Sequence, residues 1–233
     1  MRTTVPIDRA LSKLGLASRA EARVLIREKR VRANGRLIEH VGERVKLDAK
    51  ISISGKHDVV PDLSERTVIA FNKPRGVVTT TSDPEGRPTV FAVLAERGMA
   101  ERLHAVGRLD LASTGLLLLT NDSQLLNQLT EPANGVLRKY SVTVRGRVTE
   151  DDIAGLAAHE IVIRKASGPE THLLVTLAQG KNREIRRMFE EIGHEVTRLH
   201  RVEFGPVSLG KLQPGDWLDV TDLFSEKVPA VLS

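Results

Sequence analysis

The sequence predicts an α+β fold in two parts, a small N-terminal unit over residues 1–60 and a larger domain over residues 61–233. Positive charge is concentrated in the first part, where 14 Lys and Arg stand against 7 Asp and Glu; the rest of the chain has 21 against 23. The first part also shows helical spacing of apolar residues and an Asn-Gly turn, whereas the second alternates strand-like and helical segments. We therefore expect two modules with different tasks.

Two short helices and a hairpin make up the predicted N-terminal unit. The first helix has apolar residues at helical spacing and a glycine placed to end it: Ile7, Ala10, Leu11, Leu14 and Gly15. Ser18 and Glu21 form a capping-box pattern at the start of the second helix, whose apolar stripe is Ala22, Leu25 and Ile26. The sequence Asn34-Gly35 between β-prone residues then predicts a tight hairpin.

A row of arginines lies on another face of the second helix. Its members are Arg19, Arg23, Arg27 and Arg30. Because residues three or four apart are neighbours along one side of a helix, we expect a continuous cationic ridge. Together with the local excess of positive charge, this ridge predicts that the unit faces a polyanion.

This N-terminal segment resembles the S4 RNA-binding domain, also called the αL motif. The resemblance is carried by IDRAL at 7–11, GLASRAEA at 15–22, IREKRV at 26–31 and Asn34-Gly35. It implies that Arg19, Arg23, Arg27 and Arg30 bind RNA. The chain has only five Phe, one Tyr and one Trp, so charge and shape must dominate over base stacking in any RNA complex.

The second part follows a turn-rich linker at residues 55–66. Strands are predicted at residues 68–71, 77–81, 116–119 and 139–144, with helices at 91–97 and from Asn182 to Gly193. The apolar stripe of the last helix is Ile185, Met188, Phe189 and Ile192.

Asp110 has two interpretations when it is considered alone. It stands in a polar loop just before the buried strand 116–119, where a scaffold can hold a catalytic carboxylate. Most loop aspartates are structural, however, and Asp110 could simply pair with Arg108. The arginines at the start of the last helix are equally consistent with a solvated face that carries an Arg187–Glu191 pair.

Four ordered motifs resolve this choice, because they resemble the RsuA/RluB-type family of ribosomal RNA pseudouridine synthases. They are NKPRG at 72–76, GRLD at 107–110 with STGLLLLTND at 113–122, Lys139-Tyr140, and GKNREIRR at 180–187. The resemblance covers nearly the whole chain and is stronger toward the large-subunit enzymes. It implies a catalytic domain with a mixed, mostly antiparallel sheet flanked by helices, and isomerisation of a uridine in ribosomal RNA without cofactor or metal.

The same resemblance assigns the catalytic roles. Asp110 would be the catalytic carboxylate, and Arg186 would hold it ionised. Tyr140 and Ile185 would face the uracil, with Tyr140 also a candidate for proton transfer. Attack of Asp110 on the sugar, attack on the base and removal of a ribose proton all remain open.

Four cationic positions are implied to contact the substrate or its RNA. Arg108 resembles the Arg that fills the space of a flipped nucleotide, while Lys73 and Arg183 are predicted to bind substrate. Lys181 stands where relatives often carry Arg, which keeps the charge but loses the planar fork.

Composition and spacing limit the other possibilities. The chain has no Cys, and its seven His show no metal-ligand spacing, so we expect no metal site. The longest pure aliphatic run, 116–119, is far too short to span a bilayer, and no signal sequence is evident. We expect a soluble, cytoplasmic monomer that acts on ribosomal RNA or on a ribosomal assembly intermediate.

Two rival functions stay open. A non-catalytic RNA-binding ribosome-assembly factor would use the basic unit alone, but would have no reason to combine Asp110, Tyr140 and Arg186. A hydrolytic nucleoside glycosidase would need a second carboxylate as general acid, for which Asp122 is the nearest candidate.

Overall fold

The computed structural model of the protein describes residues 4–13, 16–17, 19–46, 49–54, 66–99, 101 and 103–224. The chain divides into two compact units, Met1–Arg66 and Thr67–Ser233. The predicted helix end at Leu14 and Gly15, the Ser18 cap and linker residues 55–65 lie outside the described residues.

The first unit combines two helices with short antiparallel strands. Its elements are β1 (Thr4–Pro6), α1 (Ile7–Lys13), α2 (Arg19–Arg27), β2 (Val31–Ala33), β3 (Arg36–Leu37), β4 (Arg44–Lys46) and β5 (Ile51–Ile53). Strand β1 pairs with β4, and β2 lies between β3 and β5. The apolar stripe predicted for α2 is buried in the core of this unit.

The predicted hairpin joins β2 to β3. Asn34 has a φ of 51° and Gly35 a φ of 79°, and positive values at both central positions define a type I′ turn. The Asn34 side chain also accepts a hydrogen bond from the Lys50 backbone N–H at 2.8 Å. The Asn-Gly sequence therefore supplies the turn conformation, and the Asn34 side chain also holds the turn against the segment that contains Lys50.

The second unit is built on one large sheet with helices beside it. Its elements are β6 (Val68–Lys73), α3 (Val90–Glu96), β7 (His104–Ala105), β8 (Thr114–Thr120), α4 (Ser123–Thr130), β9 (Arg138–Arg145), α5 (Glu150–Ile153), β10 (Glu160–Ala166), β11 (Glu170–Leu177), α6 (Glu184–Glu191), β12 (Val196–Phe204), β13 (Val207–Ser208) and β14 (Trp217–Asp219). Two 3-10 turns lie at Pro132–Asn134 and Thr221–Phe224.

The strand order of this sheet is β10-β11-β9-β12-β8-β6-β14, with β13 beside β12 and β7 beside β8. Among the described strands only β8 and β12 run parallel to each other; the other pairs are antiparallel. The predicted α+β fold with a mixed, mostly antiparallel sheet is confirmed.

The sheet is covered on both faces, which explains the run of four leucines in β8. Leu117 and Leu119 belong to the core on one face, whereas Leu116 and Leu118 belong to the core on the other. Alternation along a strand sends successive side chains to opposite faces, so a strand buried on both sides must be apolar throughout. All four leucines are fully buried, each stabilising the fold by about 2 kcal/mol.

Residues 77–81 do not form the predicted strand. Both edges of β6 are already occupied, by β8 on one side and β14 on the other. The segment instead makes a single bridge between Val78 and Thr89. Thr79 Oγ1 donates a hydrogen bond to the Leu109 carbonyl at 2.9 Å, which ties the segment to the loop before Asp110.

Helix α6 begins one residue later than its predicted cap implies. Arg183, not Asn182, occupies the N-cap position, with a φ of 50° and no side-chain capping bond. Glu184 compensates by accepting a hydrogen bond from the Lys181 backbone N–H at 2.9 Å. The apolar stripe is as predicted, since Ile185, Met188 and Phe189 are buried and Ile192 packs against the same core.

Candidate active site

Asp110 lies in the loop that connects β7 to β8. Its backbone carbonyl accepts a hydrogen bond from the Ser113 N–H at 3.0 Å, so the loop turns back immediately before β8 begins. The side chain of Asp110 is 39% exposed. The carboxylate is therefore accessible, yet its loop leads directly into β8, a strand in the middle of the sheet.

A cavity of about 530 Å³ opens beside Asp110. Segments that are distant in sequence line it, among them the 106–110 loop, β9, the end of β11, the residues around the start of α6, and β12. The lining includes five predicted site residues: Arg108, Asp110, Tyr140, Arg183 and Ile185. The structure thus brings together most of the residues that the motifs singled out.

The apolar part of the cavity is suited to a flat, partly apolar ring. Tyr140 on β9 and Ile185 on α6 are buried, at 7% and 3% exposure, and Leu177 and Leu199 line the same space. An aromatic ring and branched aliphatic side chains in one cavity wall form a surface against which a planar base can stack.

Arg183 is the cation seen closest to Asp110. Its Nη1 lies 3.9 Å from Asp110 Oδ2. The predicted partner Arg186 instead donates a hydrogen bond from Nη1 to the Val196 carbonyl at 2.8 Å, and its buried Nε has no partner in the structure. Burial lowers the pKa of Arg186, as does Arg183, whereas Asp110 raises it. Arg186 thus acts on Asp110 electrostatically across space.

Lys73 occupies a different position from the substrate contact that we predicted. It is fully buried at the end of β6 and does not line the cavity. Its ammonium donates hydrogen bonds to the carbonyls of Ser113, at 2.8 Å, and Pro74, at 3.0 Å. Burial lowers the pKa of Lys73 from 10.5 to about 8, and Asp110 opposes this shift. Lys73 thereby fastens the chain just after Asp110 to β6.

Lys73 makes stability pH-dependent in a predictable direction. Between pH 8 and 10.5 the unfolded chain keeps a proton on Lys73 that the folded chain has lost, so stability rises with pH. Burial of the charged Lys73 lowers the free energy of unfolding by its full amount below pH 8. Between pH 8 and 10.5 this free energy should rise by about 3 kcal/mol. Urea unfolding followed by Trp217 fluorescence should show this rise relative to Lys73→Met.

Lys139→Met is the matched control, because Lys139 is one-third exposed and pairs with Glu203 at 3.1 Å. It should retain the rise seen in the wild type. An equal pH dependence in the wild type and Lys73→Met would contradict the assignment.

The predicted RNA-binding arginines differ in their contacts. Arg19 and Arg23, each more than half exposed, approach the buried carboxylate of Asp8 at 3.2 and 3.7 Å. Arg27 is exposed at the last residue of α2. Arg30 lies beyond the helix and donates to the carbonyl of Ser54 at 3.0 Å. The helical ridge therefore consists of three arginines.

Two cavity residues were missed from the sequence. Arg138 on β9 and Arg201 on β12 line the cavity and are 6% and 3% exposed. Strand alternation contained the signal, since Arg138 precedes Tyr140 by two residues and Arg201 follows Leu199 by two. Both arginines consequently share the inward face of the sheet.

Within the described ranges, no group of three or more His, Asp or Glu side chains is placed to hold a metal ion. Over the same residues, no helix has both the length and the apolar character needed to cross a membrane.

Comparison with known proteins gives two family matches. The RNA pseudouridylate synthase family matches residues 67–191, and the S4 domain family matches residues 5–51. Ribosomal large subunit pseudouridine synthase B of Yersinia pestis is 37% identical over 231 residues, which cover 92% of this chain and 72% of the relative. The protein of that name from Escherichia coli K12 is 37% identical, with coverage of 92% and 78%. The one from Pseudomonas aeruginosa is 38% identical, with coverage of 95% and 62%.

One solved structure resembles the chain along almost its whole length. It is described as a crystal structure of pseudouridylate synthase and is 26% identical. The match covers 94% of this chain and 97% of that chain, with a TM-score of 0.61.

Proposed function

This chain belongs to the RNA pseudouridylate synthase family, and from that membership we propose that it converts a uridine of large-subunit ribosomal RNA into pseudouridine. Both resemblances inferred from the sequence are confirmed, and the protein is an RNA-modifying isomerase with an S4 domain. The observation that carries the proposal is the convergence of Asp110, Tyr140, Ile185 and two exposed arginines on one cavity.

The reaction conserves all atoms of the nucleotide. The bond between uracil N1 and ribose C1′ breaks, a bond between C5 and C1′ forms, the proton on C5 leaves, and N1 gains one. We assign Asp110 as the catalytic carboxylate, because it is accessible to a ligand and lies in the short loop that leads into β8. Tyr140 and Ile185 enclose the base, and the Tyr140 phenol is the candidate for moving the C5 proton.

Two cations support Asp110 in this proposal. Arg183 lies 3.9 Å from the carboxylate, and Arg186 adds positive potential from its half-buried position. An anionic carboxylate is the reactive form of an aspartate, so both cations favour catalysis. Arg108 is exposed in the 106–110 loop. We assign it to the space in the RNA that the target nucleotide leaves when it flips out of its stack.

The target base must leave its stack, which costs a few kcal/mol. The S4 domain, bound elsewhere on the RNA, can offset this cost through remote binding energy. We propose that the partner is ribosomal RNA or a ribosomal assembly intermediate. We also propose that the enzyme is a monomer and acts in the cytoplasm.

Pseudouridine mapping tests the proposal. Purified protein is incubated with unmodified transcripts of both ribosomal RNAs, and carbodiimide-blocked primer extension locates new pseudouridine. We expect one new stop in the large-subunit RNA and none in the small-subunit RNA. Bound RNA without a stop in either transcript or in ribosomal particles would favour the assembly factor. Release of free uracil would favour the glycosidase.

The α2 arginines should control affinity without affecting the cavity. We expect Arg19→Ala with Arg23→Ala to weaken RNA binding, and Arg27→Ala to lower the slope of log affinity against log salt by about 1. Filter binding over a salt series measures both effects.

The double variant is best made with Asp8→Asn, because Asp8 would otherwise remain buried without its two partners. Arg9→Ala makes the same net charge change as this combined variant, at an exposed position of α1, and should have a smaller effect. If both α2 variants bound RNA with unchanged affinity, the proposal that this arginine ridge contacts RNA would be wrong.

A further inference from the structure

Two buried arginines in the cavity have no role in the chemistry described above. Arg138 and Arg201 belong to neighbouring strands, β9 and β12, and both line the cavity together with Phe204. Their guanidinium carbons lie over the Phe204 ring, 4.7 and 4.9 Å from its centroid. The three side chains therefore form a compact group, which we call the Arg138–Arg201 cluster.

The carboxylate of Glu184, which lines the same cavity, favours the charged form of Arg138 but forms no ion pair with this cluster. Neither guanidinium forms an ion pair with any acidic residue in the described part of the chain. Arg138 donates hydrogen bonds to the carbonyls of Val136 and Leu129, at 2.7 and 2.8 Å. Burial lowers the pKa of Arg138, and the adjacent charge of Arg201 lowers it further. Burying two like charges together opposes folding unless something compensates them.

Arg201 also has an unused donor. Its Nε donates to the Leu116 carbonyl at 2.6 Å, whereas its buried Nη2 has no hydrogen-bond partner. Buried polar groups are normally paired, and an unpaired group in a functional cavity is a candidate ligand contact. The side chain thus brings to the cavity wall both a positive charge and a buried N–H group that has no partner.

The cluster lies beside the proposed base site, because the Arg201 guanidinium carbon is 6.0 Å from the centroid of the Tyr140 ring. Arg138 precedes Tyr140 by two residues on the same face of β9, a separation of about 7 Å along the strand. Arg201 is the direct partner of Tyr140 in the β12–β9 ladder. A base stacked near Tyr140 would therefore bring its own backbone phosphate toward these guanidinium groups.

We propose that Arg138 and Arg201 form a phosphate subsite for the nucleotide whose base lies against Tyr140. This inference rests on the proposed function, because that function supplies the nucleotide. A phosphate matches the guanidinium fork, accepts hydrogen bonds at several oxygens and neutralises the buried charge. The subsite holds the target nucleotide by a feature that every nucleotide has, so it positions the substrate without reading its sequence.

Titration calorimetry on the full chain tests this subsite with three probes: uridine 5′-monophosphate, uridine and inorganic phosphate, at matched ionic strength. We expect the monophosphate to bind wild type about tenfold more tightly than uridine, the effect of one charge-assisted contact. Arg201→Gln and Arg138→Gln should remove that difference. Arg187→Gln makes the same charge change at an exposed position of α6 outside the cavity and should preserve it.

Several outcomes would overturn the proposal. They are equal binding of uridine and its monophosphate by wild type, or a preserved difference in both Gln variants. If inorganic phosphate binds as tightly as the monophosphate, the assignment to a nucleotide is wrong. Should Arg201→Gln fail to fold, Arg138→Gln and phosphorus NMR of the monophosphate decide the question. An Arg201-dependent difference in a chain that forms no pseudouridine would refute the proposed function and leave the subsite intact.

Discussion

Asp110→Asn is expected to abolish pseudouridine formation while RNA binding and the fold survive. We expect turnover to fall by about 10⁴-fold or more, as when other enzymes lose an essential reacting group. The substitution should have little structural effect, because the carboxylate is 39% exposed and its ion pair with Arg183 is long at 3.9 Å. Such pairs contribute about 1 kcal/mol or less. Single-turnover assays on the mapped transcript, with filter binding alongside, separate the two effects.

Asp122→Asn is the matched control for this experiment. Asp122 caps α4 by accepting hydrogen bonds from the backbone N–H groups of Gln124 and Leu125, at 2.7 and 3.1 Å. Asn is an equally good N-cap, so the helix should persist and turnover should stay near the wild-type value. A large loss in Asp122→Asn would revive the two-carboxylate glycosidase, and retained turnover in Asp110→Asn would exclude Asp110 as the catalytic group.

Gly115→Ala is expected to cause the largest loss of stability. Gly115 has a φ of +98°, and an added Cβ would lie 2.8 Å from the Arg201 backbone nitrogen and closer still to its carbonyl oxygen. These neighbours are backbone atoms of β12 and cannot rotate away. We expect the free energy of unfolding to fall by on the order of 4 kcal/mol, from left-handed strain combined with overpacking.

Gly155→Ala provides the comparison in urea unfolding. A Cβ at Gly155 would meet nothing within 4 Å, and its φ lies outside the left-handed region. Its stability should match the wild type within about 0.5 kcal/mol. If Gly115→Ala were as stable as Gly155→Ala, the close approach of β8 to β12 would be wrong.

Periodicity and turn chemistry were sufficient for much of the fold. The apolar stripe of α2, the Asn34-Gly35 hairpin and the leucine strand of β8 follow from local pattern, and all are present. The strand predicted at residues 77–81 was wrong, because a strand needs a free edge to pair with. The local sequence does not show that both edges of β6 are already paired.

The candidate site was predicted through motifs rather than through geometry. Resemblance brought Asp110, Tyr140 and Ile185 together before any contact was known, and the three line one cavity. The order of the cations around Asp110 could not be foreseen. It depends on the left-handed backbone of Arg183 and on the burial of Lys73, both of which are set by tertiary packing.

The parallel pairing of β8 with β12 has a consequence for the order in which the chain can fold during synthesis. Thr114 and Gly115 pair with His200 and Arg201, so the strand that carries the Asp110 loop acquires this neighbour only after some 85 further residues have been joined. Pairings of high sequence separation form late, because a long loop must close first. A nascent chain still lacking β12 would possess Asp110 without the part of the cavity wall that Leu199, Arg201 and Phe204 supply.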